Sequence, residues 1–178
     1  MLVSENIIEA INEQVGKEFE ASLQYEAISA HFAAESLPHL SRHFAKQAEE
    51  EREHAHRFMR FVIDAGGRVK IPGIAAPQCS FESAREAVRL SLEREIAVTS
   101  LINRIVDLAL KENDHITNNF LQWFLKEQLE EVSSMDQLLK IVERAGESNL
   151  LLVEQLLAEE KEKLLRAKIE DEEEEDEE

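Results

Sequence analysis

Cysteine occurs once, at Cys79, and the 178 residues hold only five glycines and three prolines. One cysteine excludes a disulfide framework and any metal knuckle built from paired cysteines. Positive charge is scarce too: 20 Lys and Arg stand against 38 Asp and Glu, a formal net charge of −18. Residues 170–178 are all acidic and carry half of that excess. Such a chain has little to offer phosphates, so no nucleic-acid partner is expected. The longest apolar run, residues 150–153, is four residues, against the roughly twenty that cross a bilayer, so no membrane partner is expected either. Met1-Leu-Val-Ser-Glu-Asn lacks the basic and apolar regions of a secretory leader, and the expected location is the cytoplasm.

Hydrophobic residues make up 43% of the chain, enough for a core. Pro72, Pro77, Gly66, Gly67 and Gly73 all fall between positions 66 and 77. That concentration predicts long helices joined by one irregular connection. A first helix is expected over 4–35, with Ser4 as N-cap, ended by Ser36-Leu37-Pro38. A second reaches 65 and is stopped by Gly66-Gly67; a third opens near 80, where Ser80 and Ser83 are candidate caps, and runs to 111. Glu112-Asn113-Asp114 is a polar joint, and a fourth helix follows to 145 with Gly146 as its C-cap. A short fifth helix over 149–169 completes a domain spanning 1–169, and the acidic run 170–178 is expected to be a disordered tail.

Short joints near 37 and 113 make antiparallel hairpins of helices one and two and of three and four. The connection from 66 to 80 reaches about 50 Å when extended, at ~3.3 Å per residue. A helix of about 28 residues is roughly 42 Å long. The connection can therefore traverse the bundle and set helix three parallel to helix two. The expected fold is all-α: a four-helix bundle with one long crossover between helices two and three.

Each helix carries an apolar seam at spacings of three and four. The seams run through Ile8, Ile11, Val15 and Phe32; Leu40, Phe44 and Phe58; Val88, Val98 and Ile102; and Leu121, Phe124 and Leu138. Near its middle each is interrupted: by Glu18 on the first, Glu51 and His54 on the second, Glu95 on the third, and Gln128 and Glu131 on the fourth. One interrupted seam would read as a buried salt bridge. Four interrupted together do not, because no Lys or Arg lies on any seam, and an unpaired buried carboxylate costs several kcal/mol. A bound metal removes that cost, and hard oxygen ligands with one imidazole suit iron or manganese. The spacing agrees: Glu18 and Glu95, Glu51 and Gln128, and His54 and Glu131 are each 77 residues apart. Two copies of one helix hairpin, packed antiparallel, bring all six to one height.

At these residues the chain resembles the ferritins, specifically the bacterial non-haem ferritins. The resemblance covers roughly residues 5–160. It rests on Asn12-Glu-Gln-x-x-x-Glu18, Tyr25, Glu50-Glu51-x-x-His54, Glu95-x-x-x-Thr99 and Asn119-Phe-Leu-Gln-Trp-Phe-Leu-Lys-Glu127-Gln128-x-Glu130-Glu131. It implies a ferroxidase that takes Fe(II) and dioxygen and stores Fe(III) mineral in a hollow homo-oligomeric shell of 24 subunits. Glu18, Glu51 and His54 then ligate one iron of a di-iron centre, with Glu51 bridging to a second held by Glu95 and Glu131 beside Gln128. Glu50, Glu127 and Glu130, with Glu131 facing both ways, resemble a third iron site. Tyr25 resembles the family's redox-active tyrosine.

Ser134 stands where a second Glu-x-x-His would end, which argues against bacterioferritin, and no haem is expected. Asn118 and Leu121 occupy a stretch that many ferritins line with acids. The competing readings are a di-iron oxidase of an organic substrate, which needs an apolar pocket beside the metals, and a DNA-protecting mini-ferritin, whose ligands are split between subunits.

Overall fold

The computed structural model describes residues 2–159. It contains α1 (Glu5–Ala34), α2 (Pro38–Asp64), α3 (Ala84–Lys111) and α4 (His115–Ala145). A 3₁₀ turn over Glu147–Asn149 leads into α5, which is helical over residues 150–159, where the description ends. The tail expected over 170–178, and the domain boundary at 169, lie outside the described residues. No helix among the described residues is long and apolar enough to cross a membrane.

Three helices begin where a side chain takes an orphan backbone N–H. Ser4 Oγ accepts from Ile7 N at 3.3 Å. Ser83, rather than Ser80, caps α3 by accepting from Glu86 N at 3.1 Å. Asp114 Oδ1 accepts from Ile116 N and Thr117 N, both at 3.0 Å. Helix α2 opens with Pro38 and has no side-chain cap of its own. Its N-terminus is closed from a distance instead: the buried Glu154 carboxylate of α5 accepts from His39 N at 2.8 Å and Leu40 N at 2.7 Å. The two short joints each contain a left-handed non-glycine residue, Ser36 at φ 61° and Asn113 at φ 56°. These positions are also 77 residues apart, the offset found among the candidate ligands.

Helix α1 is antiparallel to both of its neighbours. Leu2 N donates to Ala65 O and Ser29 Oγ to Ser41 O, which pairs opposite ends of α1 and α2. Asn6 reaches Glu112 and Tyr25 reaches Ser91, which does the same for α1 and α3. Helices α2 and α3 are therefore parallel to one another, as the long crossover requires.

The crossover, residues 65–83, lies along a single row of α1. Asn12, Gly16, Glu20 and Gln24 are spaced by four and share one helix face. The buried Asn12 amide donates to Arg68 O at 3.0 Å and accepts from Lys70 N at 2.9 Å. The buried Gln24 amide donates to Gln78 O at 2.8 Å and accepts from Gln78 N at 2.9 Å. Between them a β-carbon at position 16 would collide with Pro72, so the row needs glycine where the strap crosses most closely. Each amide satisfies an extended backbone as a neighbouring strand would, fixing the strap's height along α1.

The apolar core is divided in two. One cluster holds Ile28, Phe32, Leu40, Phe44, Met135 and Val142; the other holds Ile11, Val15, Phe58, Ile102, Leu121 and Phe124. The apolar seam residues named above are all buried; the same spacing carried on to Phe61 and back to Phe81 does not hold, since Val62 rather than Phe61 is fully buried on α2 and Phe81 precedes α3. The layer between the two clusters is polar.

Candidate metal centre

That polar layer is built from all four long helices. Glu18 comes from α1, Glu51 and His54 from α2, Glu95 from α3, and Gln128 and Glu131 from α4. Glu18, Glu51 and Glu95 are each 1% exposed, although charged side chains are rarely buried without a partner. His54 and Gln128 are also buried, whereas Glu131 is half-buried at the margin.

Glu18, Glu51 and His54 form the tightest group, each offering one ligand atom within 4.8 Å of the others. His54 Nδ1 stands 3.5 Å from Glu51 Oε2. Glu18 Oε2, Glu51 Oε2 and His54 Nδ1 are all buried without a hydrogen-bond partner. Three orphaned atoms converging on one spot are costly, since each forgoes the hydrogen bonds it would make in water. A cation placed among them satisfies all three. Glu18 is steadied by its other oxygen, which accepts from the buried Gln14 amide at 2.8 Å. The His54 imidazole is aligned by Trp123 and Phe124, whose rings meet it edge-on at 5.5 and 5.7 Å.

Glu95 is surrounded differently. One of its oxygens accepts from the Tyr25 hydroxyl, and the other accepts from Gln128 Nε2 at 3.1 Å. Gln128 Nε2 also lies 3.1 Å from Thr99 Oγ1, whose hydroxyl donates to Glu95 O at 2.8 Å. As placed, the Gln128 amide nitrogen faces Glu95, so Gln128 orients that carboxylate. Glu131 sits close to Glu95, Glu50 and Gln47.

The electrostatics follow from carboxyls crowded without a counter-charge. Burial, and then the neighbouring Glu51, raise Glu18 well above the usual carboxylate range. Burial and then Glu95 do the same to Glu51. Glu95 is raised by burial, against the opposing pull of the Tyr25 and Gln128 hydrogen bonds. Burial, then Glu95 and Glu50, push Glu131 up to about 7. The Tyr25 phenol is raised by burial and by the Glu95 and Glu51 charges. Each shift runs toward the neutral form, and a bound cation offsets the carboxyl–carboxyl repulsions that contribute to it.

The outer acids are arranged less tightly. Glu50 is half-buried; it accepts from Gln47 Nε2 at 2.5 Å and pairs with Lys46 at 2.9 Å. Glu127 is half-buried and Glu130 exposed. Glu50, Glu127 and Glu130 do not form a second three-residue group within ligand distance among the described residues. Lys46, one turn before Glu50 and off the seam, supplies the cation that the pattern of seams did not contain.

Residues 8–145 match the ferritin-like domain family. The chain is 44% identical over 150 residues to ferritin BfrB of Mycolicibacterium smegmatis, covering 84% of this chain and 82% of that one. It is 33% identical over 148 residues to the bacterial non-heme ferritin of Staphylococcus aureus, covering 83% and 89%. Its fold superposes with a TM-score of 0.85 on the open-pore ferritin of Archaeoglobus fulgidus, at 32% identity, over 88% of this chain and 96% of that one. The chain belongs to the ferritin family. The resemblance carried by the motifs therefore holds, and of the motif residues Glu18, Glu51, His54, Glu95 and Gln128 are the ones buried in the polar layer of this ferritin.

Some contributors to the ferritin centre carried no assigned role in the sequence. Gln14 lay inside the first motif, and its spacing of four from Glu18 was the available signal. Thr99, also within a motif, joins the site through Gln128 rather than through a metal position. Nothing in the local sequence marked Asn12 and Gln24 as anchors of the crossover, because both partners are backbone atoms more than fifty residues away.

Proposed function

We propose that this chain binds Fe(II) at a di-iron centre within each bundle, oxidises it with dioxygen, and stores the Fe(III) product inside a cytoplasmic shell of 24 copies. The observation that carries this reading is the convergence of three buried, partnerless ligand atoms from Glu18, Glu51 and His54. Iron is the substrate here. Glu18 and His54 hold the first ion, Glu51 lies between the two positions, and Glu95 and Glu131 hold the second. Carboxylates supply the negative charge that favours the ferric state, and their rotation lets the product leave. Tyr25 is placed to give up a proton to Glu95 along its existing hydrogen bond. Gln14 and Gln128 hold Glu18 and Glu95 in orientation, as outer partners of metal ligands commonly do. We assign a third iron position beside Glu131 to Glu50, Glu127 and Glu130, which would have to close around the ion, since Glu50 is paired with Lys46 and the three do not stand within ligand distance of one another.

The test is to add Fe(II) without oxygen, count the tightly bound equivalents, admit oxygen, and follow ferric absorbance together with native mass. Two equivalents per chain, oxidation well above the rate of free Fe(II) in the same buffer, and a 24-subunit mass are expected. Oxidation no faster than the buffer control would reject the enzyme reading, and a small oligomer would reject the shell.

A further inference from the structure

The chain has one tyrosine and one tryptophan, and each touches a different candidate ligand. Tyr25 donates its hydroxyl proton to Glu95, while the Trp123 ring lies edge-on to the His54 ring at 5.5 Å. They differ in what else surrounds them. Trp123 has the Arg57 guanidinium over its ring, with Cζ 3.7 Å from the centroid. Arg57 follows His54 by three residues on α2, so the same helix face that presents the imidazole also presents the cation. Among the described residues Arg57 forms no salt bridge.

We propose that Arg57 is a positioning residue with a redox role: it seats Trp123 against His54 and keeps the indole reduced while iron is oxidised. This rests on the ferroxidase reading. Two Fe(II) at the centre and one at the third position proposed above supply three electrons, whereas dioxygen takes four, with four protons, on its way to water, so one further electron is needed. If Tyr25 serves, its phenol loses one electron to the dioxygen being reduced and its proton to the Glu95 carboxylate, leaving a neutral tyrosyl radical and no net charge built on the ring. If Trp123 serves, the indole becomes a radical cation with a fixed guanidinium 3.7 Å away. The attraction between a cation and a neutral aromatic face becomes repulsion once the ring is positive. The hydrogen bond thus opens one route, and the cation closes the other.

Arg57 is exposed, and neither Arg57→Gln nor Arg57→Lys should disturb the fold. The first experiment uses iron-free protein at high salt and a photogenerated outer-sphere oxidant, and times the appearance of the indole radical. Because Trp123 is the sole tryptophan, the signal has one source. Arg57→Gln should speed indole oxidation by about two- to fivefold, the factor that an exposed cation–π contact is worth. Arg57→Lys, which keeps the charge, should stay near the unsubstituted rate. The second experiment freezes the iron-loaded protein during oxidation by dioxygen and identifies the radical by paramagnetic resonance. Tyrosyl signal alone is expected in the unsubstituted protein, and part of it should move to tryptophan in Arg57→Gln. Equal indole rates in all three proteins, a tryptophan radical in the unsubstituted protein, or an unchanged tyrosyl-only pattern in Arg57→Gln would each overturn the proposal. If iron oxidation is not accelerated at all, the ferroxidase reading fails, and the iron-free rates still decide whether Arg57 protects Trp123.

Discussion

The two halves of the centre are related by a 77-residue offset in sequence yet are in opposite states of satisfaction. Around Glu18, Glu51 and His54, three ligand atoms lie buried without a partner. Around Glu95, both carboxylate oxygens are already engaged, one by Tyr25 and one by Gln128. The first half is organised for a cation and pays for that organisation while empty, because its polar atoms face one another in a low-dielectric layer. The second half is stable empty, and a cation there must compete with two hydrogen bonds. The chemical difference is small. Where α2 places His54, α4 places Glu131, and where α2 places Glu51, α4 places Gln128, an amide that can donate to its neighbour. One nitrogen in place of one oxygen makes the second half self-sufficient. The expected consequence is unequal binding: the first divalent ion enters at Glu18, Glu51 and His54, and the second enters more weakly beside Glu95.

The strongest way to break this comparison is to remove the group that both halves share. Glu51→Ala should cost rapid Fe(II) oxidation at least about 100-fold, more than the loss of an outer partner of a ligand usually costs. Stopped-flow ferric absorbance measures it, and a loss of only a few-fold would mean that Glu51 does not lie between two ions.

His54→Ala and Gln128→Ala then separate the halves. With Zn(II) as a probe that cannot be oxidised, titration calorimetry should show His54→Ala losing about 10-fold or more of the affinity of the first equivalent. Gln128→Ala should leave that first equivalent within about threefold and alter only the second. Equal weakening of the first equivalent by both changes would show that the two halves act as one site.

The pH dependence of the metal-free protein gives a subtler test. Glu18, Glu51, Glu95 and Glu131 all have folded values raised above the ordinary 4.5. The folded chain therefore holds protons that the unfolded chain has already released. The resulting stabilisation is complete below the unfolded carboxylate range and is lost as pH rises through the raised values, which for Glu131 is about 7. The Tm of metal-free protein should fall between about pH 5 and about pH 8, while Zn(II)-loaded protein should hold steady or rise, because the ion displaces those protons. A metal-free Tm that climbs over this interval would contradict the crowding of uncompensated carboxyls.

Glu130→Ala should have the smallest effect. Glu130 precedes Glu131 by one residue, which turns it about 100° around the helix, and it is exposed. The first rapid oxidation should stay within about twofold, since surface substitutions away from such a cluster are nearly neutral. The amount of oxygen consumed per iron should change if a third ion binds there. Loss of the rapid phase would place Glu130 in the first site, and no change in either quantity would leave it a solvated acid.

How much of this was legible in the chain depended on distance along it. The caps Ser4, Ser83 and Gly146 act within one helical turn, so those helix ends were readable from neighbouring residues, and Asp114, read only as part of a polar joint, caps α4 over the same short reach. Glu154 closes the N-terminus of α2 from 115 residues away, and no local pattern announces such a partner. The crossover's length made a traverse possible, but its path is set by two amides and one glycine on α1 that look ordinary in sequence.

The sequence by itself determined that four helices meet at a layer of acids and one histidine, because polar residues on apolar seams have nowhere to go except toward one another or toward an ion. It also determined the height at which they meet, through the repeated offset of 77 residues. Only the tertiary structure decided how the six side chains divide the available hydrogen bonds, because Tyr25, Gln14, Thr99 and Arg57 reach the centre from three helices and their roles depend on which atoms come within bonding distance. Periodicity specifies which side of a helix faces inward. The angle and rise at which helices pack specify which oxygen is left without a partner, and that is the property on which binding a metal turns.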